Sequence, residues 1–225
     1  QQFTRADLLQ SVSENSVQQC CETAFAGQLA YPEDLFTRTL GVYGGTALPT
    51  SIPNPWVMHC CTSNATQGLY YAWEGTLREN GTTAEVNLLL NRSGELVDVD
   101  SYLPYEGRVD MRIKKARRLA VRIPYWVRQN EMAARVNGMQ ATGSRIGNRM
   151  VFDSLNNGDR LQLFFPVPQQ TLSYTANANS PQEQVYRLDL RGSTVVDISP
   201  RDESPTSYPL YLREELKGDH AAMKT

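Results

Sequence analysis

From residue 82 onward the chain is a succession of short runs in which apolar and polar residues alternate. A-E-V-N-L-L-L-N, E-L-V-D-V-D-S-Y-L, R-V-D-M-R-I, R-L-A-V-R-I-P, A-R-V-N-G-M, R-M-V-F-D and D-R-L-Q-L-F-F-P-V follow one another with no helical stretch between them. A period of two sends every second side chain to the same face, so each run reads as a strand with one buried side. Asp98 and Asp100, alternating with Val97 and Val99, are then the polar face of such a strand. N-G and N-N-G-D segments between the runs are turn signals at hairpin spacing. V-Y-R-L-D-L-R-G-S-T-V-V-D-I-S adds a hairpin centred on Arg191-Gly192. About seven to nine strands of this kind, with no helices between them, predict a mainly β fold: an antiparallel β-sandwich.

The first 81 residues have a different texture. Leu8, Leu9, Val12 and Val17 recur at roughly helical spacing, and E-D-L-F-T-R-T-L is a second short helical stretch. Residues 41–56, G-V-Y-G-G-T-A-L-P-T-S-I-P-N-P-W, are rich in Gly and Pro and read as a loop. Beyond them Leu69, Tyr70, Trp73 and Leu77 repeat at three- and four-residue steps, which predicts an amphipathic helix. Ser63 or Asn64 serves as its N-cap and Asn80-Gly81 as its stop. The organisation expected is a helical and loop region over 1–81, a sandwich over 82–200 and a tail over 201–225 that reads as loop. Asp197, Arg201, Asp202 and Glu203 suit a turn held by caps and salt bridges, with a calcium site or an interdomain contact as the alternatives.

Cysteine placement is the most unusual chemical feature. Four cysteines stand in two vicinal pairs, Cys20-Cys21 and Cys60-Cys61, and the second follows His59 in H-C-C-T-S-N. Adjacent cysteines seldom bond to each other because the ring they close is strained. The pairs can cross-link to one another, ligate a metal together, or expose one thiol for chemistry. Cys60 and Cys61 stand at the entrance to the predicted helix, where the partial positive charge of the backbone amides favours thiolate over thiol.

Bulk properties exclude some functions. The 225 residues carry a net charge of −2 and an isoelectric point near 5.8, so there is no basic footprint for nucleic acid. Lys114 to Arg118, K-K-A-R-R, is the local exception and reads as a solvated hairpin between strands. No apolar run approaches the roughly 20 residues of a membrane helix. The N-terminus has neither an initiating Met nor a signal-peptide pattern, which suits a mature form or a fragment. Sequons at Asn64, Asn80 and Asn91 matter only in a eukaryotic secretory protein.

Over roughly residues 38–200 the sequence resembles the C-terminal half of glycoside hydrolase family 127, the family of the β-L-arabinofuranosidases. H-C-C-T-S-N before a Tyr/Trp-rich helix, V-N-L-L-L-N, R-I-P-Y-W-V, A-R-V-N-G and N-N-G-D-R-L-Q-L-F-F-P carry the resemblance. It implies that residues 1–81 are the end of an (α/α)6 barrel followed by a β-sandwich. It also implies a zinc ion held by three cysteines and one glutamate, with Cys60 as nucleophile and zinc ligand and Cys61 as zinc ligand. Zinc strips the proton from a thiol, and a retaining two-step hydrolysis then runs with sulfur in place of a carboxylate. His59, Trp56 and Tyr43 are the substrate-binding residues expected around the pair, the aromatic rings as sugar-stacking platforms; core packing is the alternative role for the two rings. Glu74, on the predicted helix, is a weaker acid/base candidate.

The sequence also departs from the family pattern. Its other ligands form an E-x-C element, whereas Cys20, Cys21 and Glu22 run C-C-E and are not equated with it. An all-thiolate site from the four cysteines is a separate possibility. The reading is a portion of a zinc-dependent retaining glycoside hydrolase acting on carbohydrate, incomplete in this chain, with the missing E-x-C and acid/base expected before residue 1. The alternative is a non-catalytic β-rich structural or self-assembling module, a homo-oligomer derived from such an enzyme.

Overall fold

The computed structural model describes residues 5–8, 40–44, 47–53, 59–205 and 207–220, with backbone alone for 59–61. In chain order the elements are β1 (Ser51–Pro53), α1 (His59–Glu74), β2 (Leu77–Asn80), β3 (Thr83–Val86), β4 (Arg92–Ser93), β5 (Val97–Ser101), β6 (Arg108–Ile113) and β7 (Arg118–Arg122). There follow β8 (Ala133–Val136), β9 (Met139–Gln140), β10 (Ser144–Ile146), β11 (Arg149–Asp153), β12 (Arg160–Phe164), β13 (Gln169–Ala176), β14 (Gln184–Arg191), β15 (Thr194–Ser199) and β16 (Ser207–Pro209). The chain is mainly β, as the alternation predicts, and it divides into two compact units.

The larger unit comprises Leu69–Gln170, Leu190–Thr194 and the residues from Glu214. It holds a five-stranded sheet, β10-β11-β7-β3-β2, and a six-stranded sheet, β4-β5-β6-β12-β8-β9. Their inner faces share one apolar cluster. Ala84, Val86, Leu119 and Val121 enter it from the first sheet, and Val97, Val99, Val109, Met111, Ile113, Leu161 and Leu163 from the second. Val97 and Val99 are fully buried while Asp98 turns outward to Arg112 and Lys114, so the alternation read in this strand holds.

The N-G turns close hairpins, whereas N-N-G-D joins β11 of one sheet to β12 of the other. β8 and β9 pair Val136 with Met139 across Asn137-Gly138, both at positive φ (52° and 82°), which only such residues adopt readily. Asn80-Gly81, expected as a helix stop, instead lies at the β2–β3 hairpin, where Asn80 pairs with Thr83. Arg191 ends β14, and the next strand begins at Thr194, as the predicted hairpin requires.

Three readings change. K-K-A-R-R is not a hairpin: β6 belongs to the six-stranded sheet and β7 to the five-stranded one, so the run crosses between layers and Ala116 is fully buried. β7 then returns beside β3 in parallel, Thr83 opposite Arg118 and Val86 opposite Val121. Parallel neighbours need a long crossover, and here three strands of the opposite sheet supply it. V-N-L-L-L-N is a strand only as far as Val86, because the amides of Asn87 and Leu88 turn to the Thr76 carbonyl. Leu88 and Leu90 are consequently exposed and Leu89 buried.

The smaller unit takes the described residues up to Gly68, Thr171–Asp189 and Val195–Arg213. Its β1 pairs antiparallel with β16, Ile52 opposite Tyr208, and these two with Leu210 form a small core. Ser51–Pro53 and Ser207–Pro209 were both expected as loop; each is a strand only through the other. Most of the β13-β14-β15 sheet belongs here. The acidic turn is held by caps and ion pairs: Arg201 pairs with Asp197 and donates to the Leu210 and Tyr211 carbonyls at 2.8 and 3.0 Å. Asp202 accepts from Ser51 Oγ and the Ser204 amide.

On the outer face of the six-stranded sheet Asp110 is 2 % exposed. Arg108 donates to it from Nε and Nη2 (3.0 and 2.6 Å), Gln162 Nε2 adds a bond at 3.1 Å, and Arg160 completes the set. Burial pushes the carboxyl up, but these donors overcome it and hold the pKa down at about 2. A carboxyl depressed in the folded state contributes its full stability above the ordinary value of about 4 and loses it as pH falls toward 2. Asp110→Asn is therefore expected to destabilise the larger unit by about 2 kcal/mol at neutral pH, and by much less near pH 2. Urea denaturation at the two pH values checks this; an equal difference at both would refute it.

Candidate functional site: the vicinal cysteines of helix α1

α1 spans His59–Glu74, so Ser63 and Asn64, expected to cap it, lie inside the helix, and the turn that holds Cys60 and Cys61 is helical. This turn is tied to the Gly/Pro-rich loop: the Tyr43 amide donates to Thr62 Oγ1 at 3.3 Å. Thr66 Oγ1 in turn donates to the Thr62 carbonyl at 2.7 Å, anchoring the residue that receives Tyr43. Tyr43, half-buried, is thereby brought to the same turn as the cysteine pair. Trp56, Cys20, Cys21 and Glu22 lie outside the described residues, as do the side chains of His59, Cys60 and Cys61.

The helix ends earlier than its apolar spacing predicts. Gly75 follows its last residue and donates to the Tyr71 carbonyl at 2.8 Å, while Asn87 Nδ2 caps the Gly75 carbonyl at 2.9 Å. Leu77, read as the last position of the helical stripe, is instead buried in β2. Leu69, Tyr70 and Trp73 remain about half exposed. The Trp73 ring carries the Arg92 guanidinium at 3.3 Å from its centroid. Glu74 closes the helix at an exposed position.

Two adjacent thiols suit a soft cation such as zinc, which takes sulfur and nitrogen ligands tetrahedrally. Among the described residues no group of three His, Cys, Asp or Glu is placed to hold a metal ion.

No protein-family model matches the sequence, and no curated protein matches it significantly. Among solved structures, the chain is similar to a GH127 beta-L-arabinofuranosidase from Geobacillus stearothermophilus T6. The identity is 19 % and the TM-score 0.48, over 62 % of this chain and 24 % of that one. A second similar structure, described as a glycoside hydrolase, shows 21 % identity and a TM-score of 0.45 over 70 % of this chain and 29 % of its own. A GH127 beta-arabinofuranosidase shows 18 % and 0.47, over 63 % and 26 %. The chain spans about a quarter of the length of these proteins.

Gly68 interrupts α1 on an exposed side, with nothing within 4 Å of where a Cβ would stand. Gly68→Ala is expected to stabilise the helix by about 1 kcal/mol. Slower amide exchange across residues 62–74 is the measurement; unchanged exchange would mean that α1 does not extend through this position.

Proposed function

We propose that this chain is a portion of a zinc-dependent retaining glycoside hydrolase whose nucleophile is the Cys60 thiolate. The reading rests on H-C-C-T-S-N and is supported by one observation: both cysteines belong to the helix His59–Glu74. In this reading the region ahead of β2 ends an (α/α)6 barrel, and the five- and six-stranded sheets are the sandwich that follows it. The substrates are glycans with arabinofuranose-like termini.

Cys60 and Cys61 are the zinc ligands this chain contributes, and bound zinc supplies the charge that keeps a thiol deprotonated at neutral pH. Cys60 sulfur attacks the anomeric carbon, the C–S bond forming as the glycosidic C–O bond breaks and an acid protonates the leaving oxygen. Water then displaces the sulfur with a second inversion, restoring the thiolate and retaining the configuration. Tyr43, Trp56 and His59 contact the sugar. The acid/base group and the remaining ligands come from outside the described residues.

Metal analysis of the purified protein tests the reading. About one zinc per chain is expected, lost in Cys60→Ser, with Cys60 alkylated by iodoacetamide well below the ordinary thiol pKa once the metal is chelated. A metal-free protein with Cys60 locked in a disulfide would sink it.

One observation favours a second reading, a β-rich self-assembling module. β13 and β14 expose Leu172, Tyr174 and Val185 by half or more, a surface suited to pairing with another copy. Sedimentation velocity separates the two: concentration-dependent association abolished by Leu172→Lys supports assembly, and a monomer at all concentrations removes it.

A further inference from the structure

R-I-P-Y-W-V forms the corner of a cleft in the larger unit. Pro124 to Val127 make a tight turn, closed by the Val127 amide on the Pro124 carbonyl at 3.1 Å. Trp126 points inward, edge-on to Phe165 at 5.7 Å. Its indole N–H donates to Ser193 Oγ at 2.8 Å. Gly192, at φ +57°, lies so close that a Cβ there would stand 2.7 Å from the indole ring. The wall is therefore rigid. Tyr125, the other corner residue, is 90 % exposed.

The cleft beside Tyr125 has a volume of about 490 Å³ and is lined on one side by the exposed Leu88 and Leu90. That volume lies in the range of small-molecule sites. Several of its polar groups are already occupied: Asn87 by the Gly75 carbonyl and Arg149, Arg191 by the Lys217 and Gly218 carbonyls. Arg122 is different. It stands directly opposite Arg149 across the β7–β11 pair, an unfavourable juxtaposition of like charges. Arg149 is compensated by Glu85 at 3.7 Å and by Asn87. Among the described residues no ion-pair or hydrogen-bond partner engages the Arg122 guanidinium or the neighbouring Asn148 amide.

We propose that this cleft binds a saccharide unit, its C–H face on the Tyr125 ring and its acceptor oxygens on Arg122 and Asn148. An exposed aromatic ring on a rigid turn offers a flat apolar platform at little entropic cost. A guanidinium fork suits paired oxygens, whether a vicinal diol or a uronic carboxylate. The inference deepens the carbohydrate reading above, but the cleft has no part in bond cleavage and its occupancy does not depend on Cys60.

Titration of the full chain with arabinofuranobiose and with digalacturonic acid, followed by NMR chemical shifts up to about 10 mM, tests the proposal. Saturable shifts at Tyr125 and Arg122 are expected, with affinity falling about tenfold in Tyr125→Phe,Arg122→Gln and in Tyr125→Ala, and unchanged in Met139→Ala at an exposed site elsewhere. The preferred disaccharide tells the diol from the carboxylate. Cys60→Ser should bind with wild-type affinity; a wild-type protein that binds the sugar yet holds no zinc would sink the hydrolase reading and leave this one standing. Absence of saturable shifts with either sugar, or affinity indifferent to Tyr125→Ala, overturns the proposal; if Tyr125→Ala instead alters the oligomeric state, the cleft is a protein contact.

Discussion

Burial of the apolar layer shared by the five- and six-stranded sheets sets the conditions for the rest of the larger unit. Val86, Val97, Val99, Val109, Met111, Leu119, Leu161 and Leu163 are all essentially sealed from water. Each such side chain contributes roughly 1.5–3 kcal/mol on burial. Because each strand enters this layer only through alternate residues, slipping any pairing by one position would turn the valines and leucines to solvent. The same requirement explains the crossing segments. Lys114 to Arg118 and residues 87–91 must carry the chain from one layer to the other, and both leave the ladder where they do so.

The outer faces carry the polar half of the alternation, and its charges are not uniformly matched. Asp98 and Asp110 are surrounded by arginines, lysine and amides that hold their carboxyls ionised. These contacts let β5 and β6 hold acidic side chains within a sheet, where an unpaired carboxylate would be costly, with Arg160 and Gln162 of β12 among the donors. Arg122 and Arg149 form the contrasting case of like charges facing across a strand pair. One of the two is answered within the sheet, and the other faces the cleft at Tyr125.

The two proposed sites draw on different parts of the chain. At Cys60 and Cys61 it is the H-C-C-T-S-N segment within α1, and at Tyr125 it is the packing of the neighbouring tryptophan. Trp126, gripped by Phe165, Gly192 and Ser193, fixes the turn that presents its neighbour to solvent. The proposed recognition at the cleft and the proposed chemistry at the sulfur therefore stand or fall separately.

Much of the β architecture was legible in the amino-acid sequence, because period-two alternation and N-G turns are local properties: Val97 and Val99 inward, Asp98 outward, and Asn137-Gly138 at a hairpin. The helix carrying the cysteine pair was legible too, from Leu69, Tyr70 and Trp73. Its ends were not: Thr62 is tied to Tyr43 and Gly75 to Asn87, partners that helical spacing alone cannot reveal. Ser51–Pro53 and Ser207–Pro209 are strands only because they meet across more than a hundred intervening residues. The cleft likewise needed the fold. R-I-P-Y-W-V announces a turn with two aromatics, but which ring is locked inward and which faces solvent depends on Phe165, Gly192 and Ser193 arriving from distant strands. Alternation is written into neighbouring residues; strand partners, helix ends and cavities come from contacts that only the folded chain creates.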